Sequence, residues 1–169
     1  RKIIDDTKLR YEKGESPVKK DAPRILITGS PIGGCTNKII NTIEESGGSI
    51  VAYELCSSIR NNRELVDENN PDVYDALAKK YLNIGCACMM NNDKRIQLID
   101  ELIEEFKIDG VIDIALQSCH PFNVESNRIK EFVVNDKKIH YMAIETDYSQ
   151  SDTEQLRTRF EAFIEMIER

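Results

Sequence analysis

No apolar run in these 169 residues approaches the roughly 20 needed to span a bilayer, and no secretory signal pattern opens the chain. Cations are outnumbered: 23 Lys and Arg stand against 30 Asp and Glu, for a net charge of -7. No basic stripe overrides that total. A nucleic-acid backbone demands clustered Lys and Arg, so the balance argues against such a partner, as the missing apolar run argues against a membrane. Internal repeats and low-complexity tracts are also missing. The loop Ser30-Pro31-Ile32-Gly33-Gly34 has neither Gly-x-Gly-x-x-Gly nor a Gly-Lys-Ser/Thr ending, so it reads as a tight turn rather than a phosphate cradle. Five cysteines is an odd number for a disulfide framework. Reduced thiols serving metal or redox chemistry in the cytoplasm are the expectation.

What remains is the composition of one soluble globular domain, 40% hydrophobic and 31% charged. The first residue is Arg rather than Met, as in a fragment of a longer protein. Residues 1–23 are charge-rich, are punctuated by Gly14, Pro17 and Pro23, and read as a linker or a remnant of an upstream domain. Residues 24–169 then alternate strand and helix patterns. Arg24 to Gly29 is a continuously apolar run, followed by a helix capped by Thr36 and ending near Ser46. Ser49 to Leu55 is a second strand. Asn70-Pro71 opens a helix to about Tyr81, and Leu82 to Ile84 is a brief strand-like segment. Asp93 to Phe106 carries Ile96, Ile99, Leu102, Ile103 and Phe106 on one helical face. Asp109 to Gln117 is a buried strand, Pro121 to Val134 a helix, and Lys138 to Glu145 the last strand. Ser151-Asp152-Thr153-Glu154 has capping-box spacing for a final helix with Leu156, Phe160, Phe163, Ile164 and Ile167 inward, running to the C-terminus. The pattern predicts a three-layer, doubly wound α/β fold of flavodoxin or Rossmann type, with a mainly parallel four-stranded sheet.

That fold gives the cysteines a meaning. Cys35, Cys56, Cys86, Cys88 and Cys119 each fall just past a strand or strand-like segment, at the sheet edge where α/β proteins bind ligands. Thiolates suit zinc or iron–sulfur clusters. Cys86-x-Cys88 is too tight for the usual zinc knuckle, and no second pair accompanies it. A non-catalytic binding domain with structural zinc on Cys56, Cys86, Cys88 and Cys119 is the alternative. His120 either completes a zinc site or caps a helix, and His140 reads as structural. Glu145, Asp147 and Tyr148, past the last strand, either offer acid, base or hydrogen-bonding groups or cap the final helix.

Six blocks carry a resemblance: Gly29-Ser30-Pro31; Glu54-Leu55-Cys56; Tyr81-Leu82 leading to Cys86-Ala87-Cys88-Met89; Leu116-Gln117-Ser118-Cys119-His120; Ile144-Glu145-Thr146-Asp147-Tyr148-Ser149; and Gln155 to Phe163. From about Arg24 onward the chain resembles the 2-hydroxyacyl-CoA dehydratase D-component family (2-hydroxyglutaryl-CoA dehydratase and benzoyl-CoA reductase-like), with extra cysteines similar to those of its double-cubane cluster proteins. The resemblance implies a C-terminal domain that shares an iron–sulfur cluster, 4Fe–4S or double-cubane 8Fe–9S, with an N-terminal domain of the same polypeptide. It implies Cys119 as the principal ligand, Cys56 and Cys86 or Cys88 as added ones, and no ligand role for Cys35. It further implies a dimeric full-length protein and an ATP-hydrolysing iron–sulfur activator that supplies single low-potential electrons. These serve radical dehydration of a 2-hydroxyacyl-CoA or reduction of a small molecule. An isolated domain is then expected to be inactive.

Overall fold

The computed structural model describes every residue except Pro17, Met90 and Arg169. Four strands form one parallel sheet in the order β2-β1-β3-β4: β1 is Arg24–Gly29, β2 Ser49–Glu54, β3 Gly110–Leu116 and β4 His140–Thr146. Parallel strands need crossovers, and helices supply them, so both faces are covered. Helices α2 (Thr36–Glu45) and α7 (Thr153–Ile167) seal one face, where Ile25, Ile27, Ile112 and Ile114 meet Ile39, Ile43, Phe160 and Phe163. Helix α5 (Asp93–Phe106) and α6 (His120–Glu131) seal the other, with Leu26, Val111, Ile99, Leu102 and Ile129. The three-layer expectation is met.

The strand period of two has a consequence for the site. Leu26, Ala52 and Val111 point to the α5–α6 face, so Thr28, Glu54 and Asp113 point there as well. These three lie side by side in register, Thr28 opposite both Glu54 and Asp113. All three are buried. A polar layer therefore crosses the sheet just below its C-terminal edge.

Several local expectations are corrected. Thr36 is the first helical residue rather than the cap, because its hydroxyl turns back to Ile32 O. The fourth helix, α4, is Val73–Leu82, and its cap is Asp72, whose carboxylate accepts from Tyr74 N and Asp75 N; Asn70 and Pro71 lie before it. A one-turn helix, α3 (Ile59–Asn62), lies in what reads as a polar connection. Leu82 to Ile84 is the end of α4 and a turn, not a strand. After Glu131 the helix widens into a π-turn, Phe132–Asp136, and β4 starts at His140, after a left-handed Lys138. The capping box before α7 is not made, since Asp152 is turned to other partners. Helix α7 ends at Ile167 with Glu168 as its C-cap, short of the expected C-terminus; Arg169 and Pro17 lie outside the described residues. Helix α1 (Lys2–Glu12) buries no residue. Among the described residues no helix is long and apolar enough to cross a membrane.

Candidate functional site

The C-terminal edge of the sheet collects four thiols by two routes. Cys56 follows β2, and Cys119 follows β3 through a left-handed Ser118. That backbone twist places Cys119 at the N-cap of α6, its N–H bonded to Leu116 O at 2.9 Å. Cys86 and Cys88 come instead from the loop between α4 and α5, so the expectation that every cysteine follows a strand fails for this pair. The loop sits tight against α5: a Cβ at Gly85 would lie 2.9 Å from Asn92 Oδ1 and 3.0 Å from Arg95 N. Cys35 is fully buried in the other core, where burial pushes its thiol pKa up, and it stands apart as an apolar filler.

Of the four edge thiols, Cys88 is within electrostatic reach of the other three. Cys88 is raised above the usual thiol range, first by the charge of Cys86, then by a hydrogen bond with it, and further by Cys119 and Cys56. No three His, Cys, Asp or Glu side chains among the described residues converge on one metal ion. Such convergence is what a closed structural zinc requires. By donor type, thiolates gathered at one edge suit the irons of an iron–sulfur cluster, one thiolate to each.

Directly beneath lies the buried polar layer. Glu54, fully buried, accepts from Thr28 Oγ1 at 2.5 Å, from Arg60 Nε, from Arg60 Nη2 at 2.6 Å and from Arg95 Nε at 3.2 Å. Arg95 also donates to Thr28 Oγ1 at 2.8 Å and pairs with Glu125. Both guanidinium groups lie over the Phe122 ring, at 5.4 Å for Arg60 and 5.0 Å for Arg95. Burial alone would lower the Arg60 pKa; the Glu54 hydrogen bonds and charge reverse this and leave it raised. Asp113 takes Tyr141 Oη at 2.9 Å, while its other oxygen is buried without a partner. Burial raises its pKa, although Arg95 pulls the other way.

Arg60, Arg95 and Lys38 are absent from the candidate residues read in the sequence. For Arg95 the signal is there, because it sits four residues before Ile99 on the apolar stripe of α5. Arg60 carried no such mark, lying in a helix of one turn.

The last loop is organised by Lys38, whose side chain is fully buried. Its ammonium donates to Thr146 Oγ1 at 2.8 Å, Asp147 O at 3.0 Å, Ser149 O at 2.7 Å and Asp152 Oδ1 at 2.6 Å. Asp147 accepts from Ser149 and is held below the usual carboxylate range, so near neutral pH it is an acceptor rather than a proton donor. Glu145 and Tyr148 are exposed at the same edge. His120 is the exposed first residue of α6, and the half-buried His140 meets Phe163 edge-on.

Lys38→Met is expected to destabilise the fold by about 2–3 kcal/mol at pH 7, below the usual cost of a fully buried pair because Asp152 keeps some water. For Asp152, burial alone would raise the pKa, but hydrogen bonds from Lys38 and Thr146 and the Lys38 charge outweigh it and leave it lowered. A lowered folded pKa gives stability that is present above the unfolded value of about 3.9 and lost as pH falls through the folded one. Urea titrations of both proteins should therefore differ fully at pH 7 and converge below about pH 4. A difference that persists unchanged in acid would contradict the role given to this pair.

Compared with known proteins, residues 1–167 match the model of the family described as "2-hydroxyglutaryl-CoA dehydratase, D-component". The chain belongs to this family. The D-component match begins at residue 1, ahead of the expected start near Arg24, so helix α1 falls inside it. A protein of Escherichia coli (strain K12) named as a dehydratase subunit, YjiM, is 52% identical over 160 residues, which is 95% of this chain and 42% of that protein. The "(R)-phenyllactyl-CoA dehydratase beta subunit" of Clostridium sporogenes is 29% identical over 156 residues, 92% of this chain and 41% of that one. The chain thus spans about two fifths of the length of these D-component relatives. The site is thus an open edge: four thiols above a buried charge network, beside a cavity of about 280 Å³ whose charged lining is mixed, Arg60, Arg63, Lys80 and Lys94 with Glu64 and Glu101.

Proposed function

We propose that this chain is the part of a 2-hydroxyacyl-CoA dehydratase-type component that holds one side of an iron–sulfur cluster. The observation that carries the reading is the placement of Cys56 after β2 and Cys119 after β3 at one sheet edge, with Cys86 and Cys88 on the α4–α5 loop beside them. Cys119 and Cys56 would each hold an iron, Cys86 or Cys88 another, and a further domain of the full-length protein would complete the set. When bound, the cluster would supply single low-potential electrons received from an ATP-hydrolysing activator. Those electrons serve removal of water from a 2-hydroxyacyl-CoA or, in a double-cubane protein, reduction of a small molecule. The chain's own part is to fix the sulfurs and to set the charge around them. Glu145 and Tyr148 remain the groups free to face a reactant, with Asp147 fixed as a carboxylate in the Lys38-bound loop.

Iron and sulfide analysis of the anaerobically purified full-length protein tests this directly. About four irons per subunit support the 4Fe–4S type and about eight the double-cubane type, and Cys119→Ser should lower either number. Equimolar zinc with no iron would establish the structural-zinc reading instead. Absence of both metals under anaerobic conditions would remove the proposal.

A further inference from the structure

Arg60 differs from every other member of the buried layer in touching a sulfur. Its Nε and Nη2 are taken by the Glu54 carboxylate, and Nη2 also reaches Glu54 O at 2.9 Å. The remaining nitrogen, Nη1, points up to the edge and lies 3.3 Å from Cys56 Sγ. The side chain is only 1% exposed and rests over Phe122 at 5.4 Å, so the planar fork is held in place from several sides. Arg95 shares Glu54 and the same ring but has no sulfur among its partners.

We propose that Arg60 is a positioning residue that sets the reduction potential of the metal–sulfur group at Cys56 by donating Nη1–H to that sulfur. This rests on the reading of the cysteines in the preceding subsection. An added electron puts more negative charge on the cluster and its thiolates, and an N–H aimed at a thiolate stabilises that charge, raising the potential. The donor is useful here because it is fixed: Glu54 holds the guanidinium before and after the electron arrives, so little reorganisation accompanies reduction. Lysine keeps the charge but cannot bind Glu54 with a fork and still reach the sulfur.

The experiment is a potentiometric titration of the anaerobically purified full-length protein, followed by electron paramagnetic resonance, for wild type, Arg60→Lys and Arg95→Lys. The expected result is a lower potential in Arg60→Lys, shifting the electron-transfer equilibrium about tenfold toward the donor, which for one electron is about 59 mV. Arg95→Lys should match wild type, with equal iron content in all three proteins. An unchanged potential in Arg60→Lys, or an equal shift in Arg95→Lys, overturns the assignment. If wild type carries no iron, it is the cysteine reading that fails, and a second measurement then decides the Arg60 contact alone. In metal-free full-length protein, iodoacetamide should alkylate Cys56 several-fold more slowly in Arg60→Lys than in wild type or Arg95→Lys, as read by peptide mass spectrometry. Equal rates in all three refute the contact. Arg60→Gln, which keeps a donor for Glu54, replaces the lysine variant should that variant not fold, with the same expected direction in both measurements.

Discussion

Glu54→Ala should cost the fold about 3–5 kcal/mol, a large part of the 5–15 kcal/mol that holds a domain of this size together. The reason lies in what is left behind. Arg60 and Arg95 have side chains 1% exposed, and the Glu54 carboxylate is the acid that both share. Without it, Arg60 keeps only main-chain oxygens and the Cys56 sulfur as partners, and Arg95 keeps Glu125 and a hydroxyl. A buried guanidinium stripped of its counter-ion is one of the costliest single changes in a protein interior. Glu54→Gln should fall between wild type and alanine, because the amide preserves volume and one acceptor but not the charge. Urea denaturation followed by circular dichroism gives the ranking. A loss under about 1 kcal/mol for alanine would show that the network is not the keystone described above.

Gly29→Ala should be comparably severe, for a backbone reason rather than an electrostatic one. Gly29 ends β1 at φ +117°, a left-handed conformation that side chains rarely adopt. A Cβ there would lie 2.7 Å from Ile114 N and closer still to Ile114 O, both main-chain atoms of the neighbouring strand. Strand β3 cannot move aside, since it is also paired with β4 along its whole length. The substitution must break the β1–β3 register at the very end that carries the loop to Ser30, whose N–H donates to Ile114 O at 2.7 Å. A loss of about 3–4 kcal/mol is expected from the clash and the strained φ together. The same denaturation series measures it, and the loss should be additive with that of Lys38→Met, which contacts other residues. An alanine variant within about 0.5 kcal/mol of wild type would mean that the two strands separate more easily than their packing indicates.

How much of this was legible in the sequence depends on what each residue competes with. The strands around Ile25 and Ile112 are unambiguous, because continuous β-branched apolar runs have no good alternative home. Asp93 to Phe106 is equally clear from its spacing, and the structure gives the same bounds. The failures are local. Asn70-Pro71 looks like a helix start, but Asp72 offers a carboxylate to two free N–H groups, and the better acceptor wins. Ser151 to Glu154 has the capping spacing, yet a buried Lys38 from over a hundred residues away claims Asp152 first. Long-range partners of this sort leave no trace in local pattern. The same holds for the site: Cys56 and Cys119 could be placed from their positions after strands, Cys86 and Cys88 follow a helix instead, and Arg60 became visible only when the sheet placed Glu54 beneath Cys56.

The strand order also governs how the chain is made. β1 lies between β2 and β3, and its first residue bonds to Asp109, 85 residues away. During synthesis β1 and β2 can pair early, but one edge of β1 stays open until β3 emerges. The face bearing Ile25, Ile27, Ile39 and Ile43 waits longer still, for Phe160, Phe163 and Ile164 of the final helix. That face therefore stays bare from the emergence of β1 until α7 follows. A holding chaperone bound to this face should be released once α7 has left the ribosome.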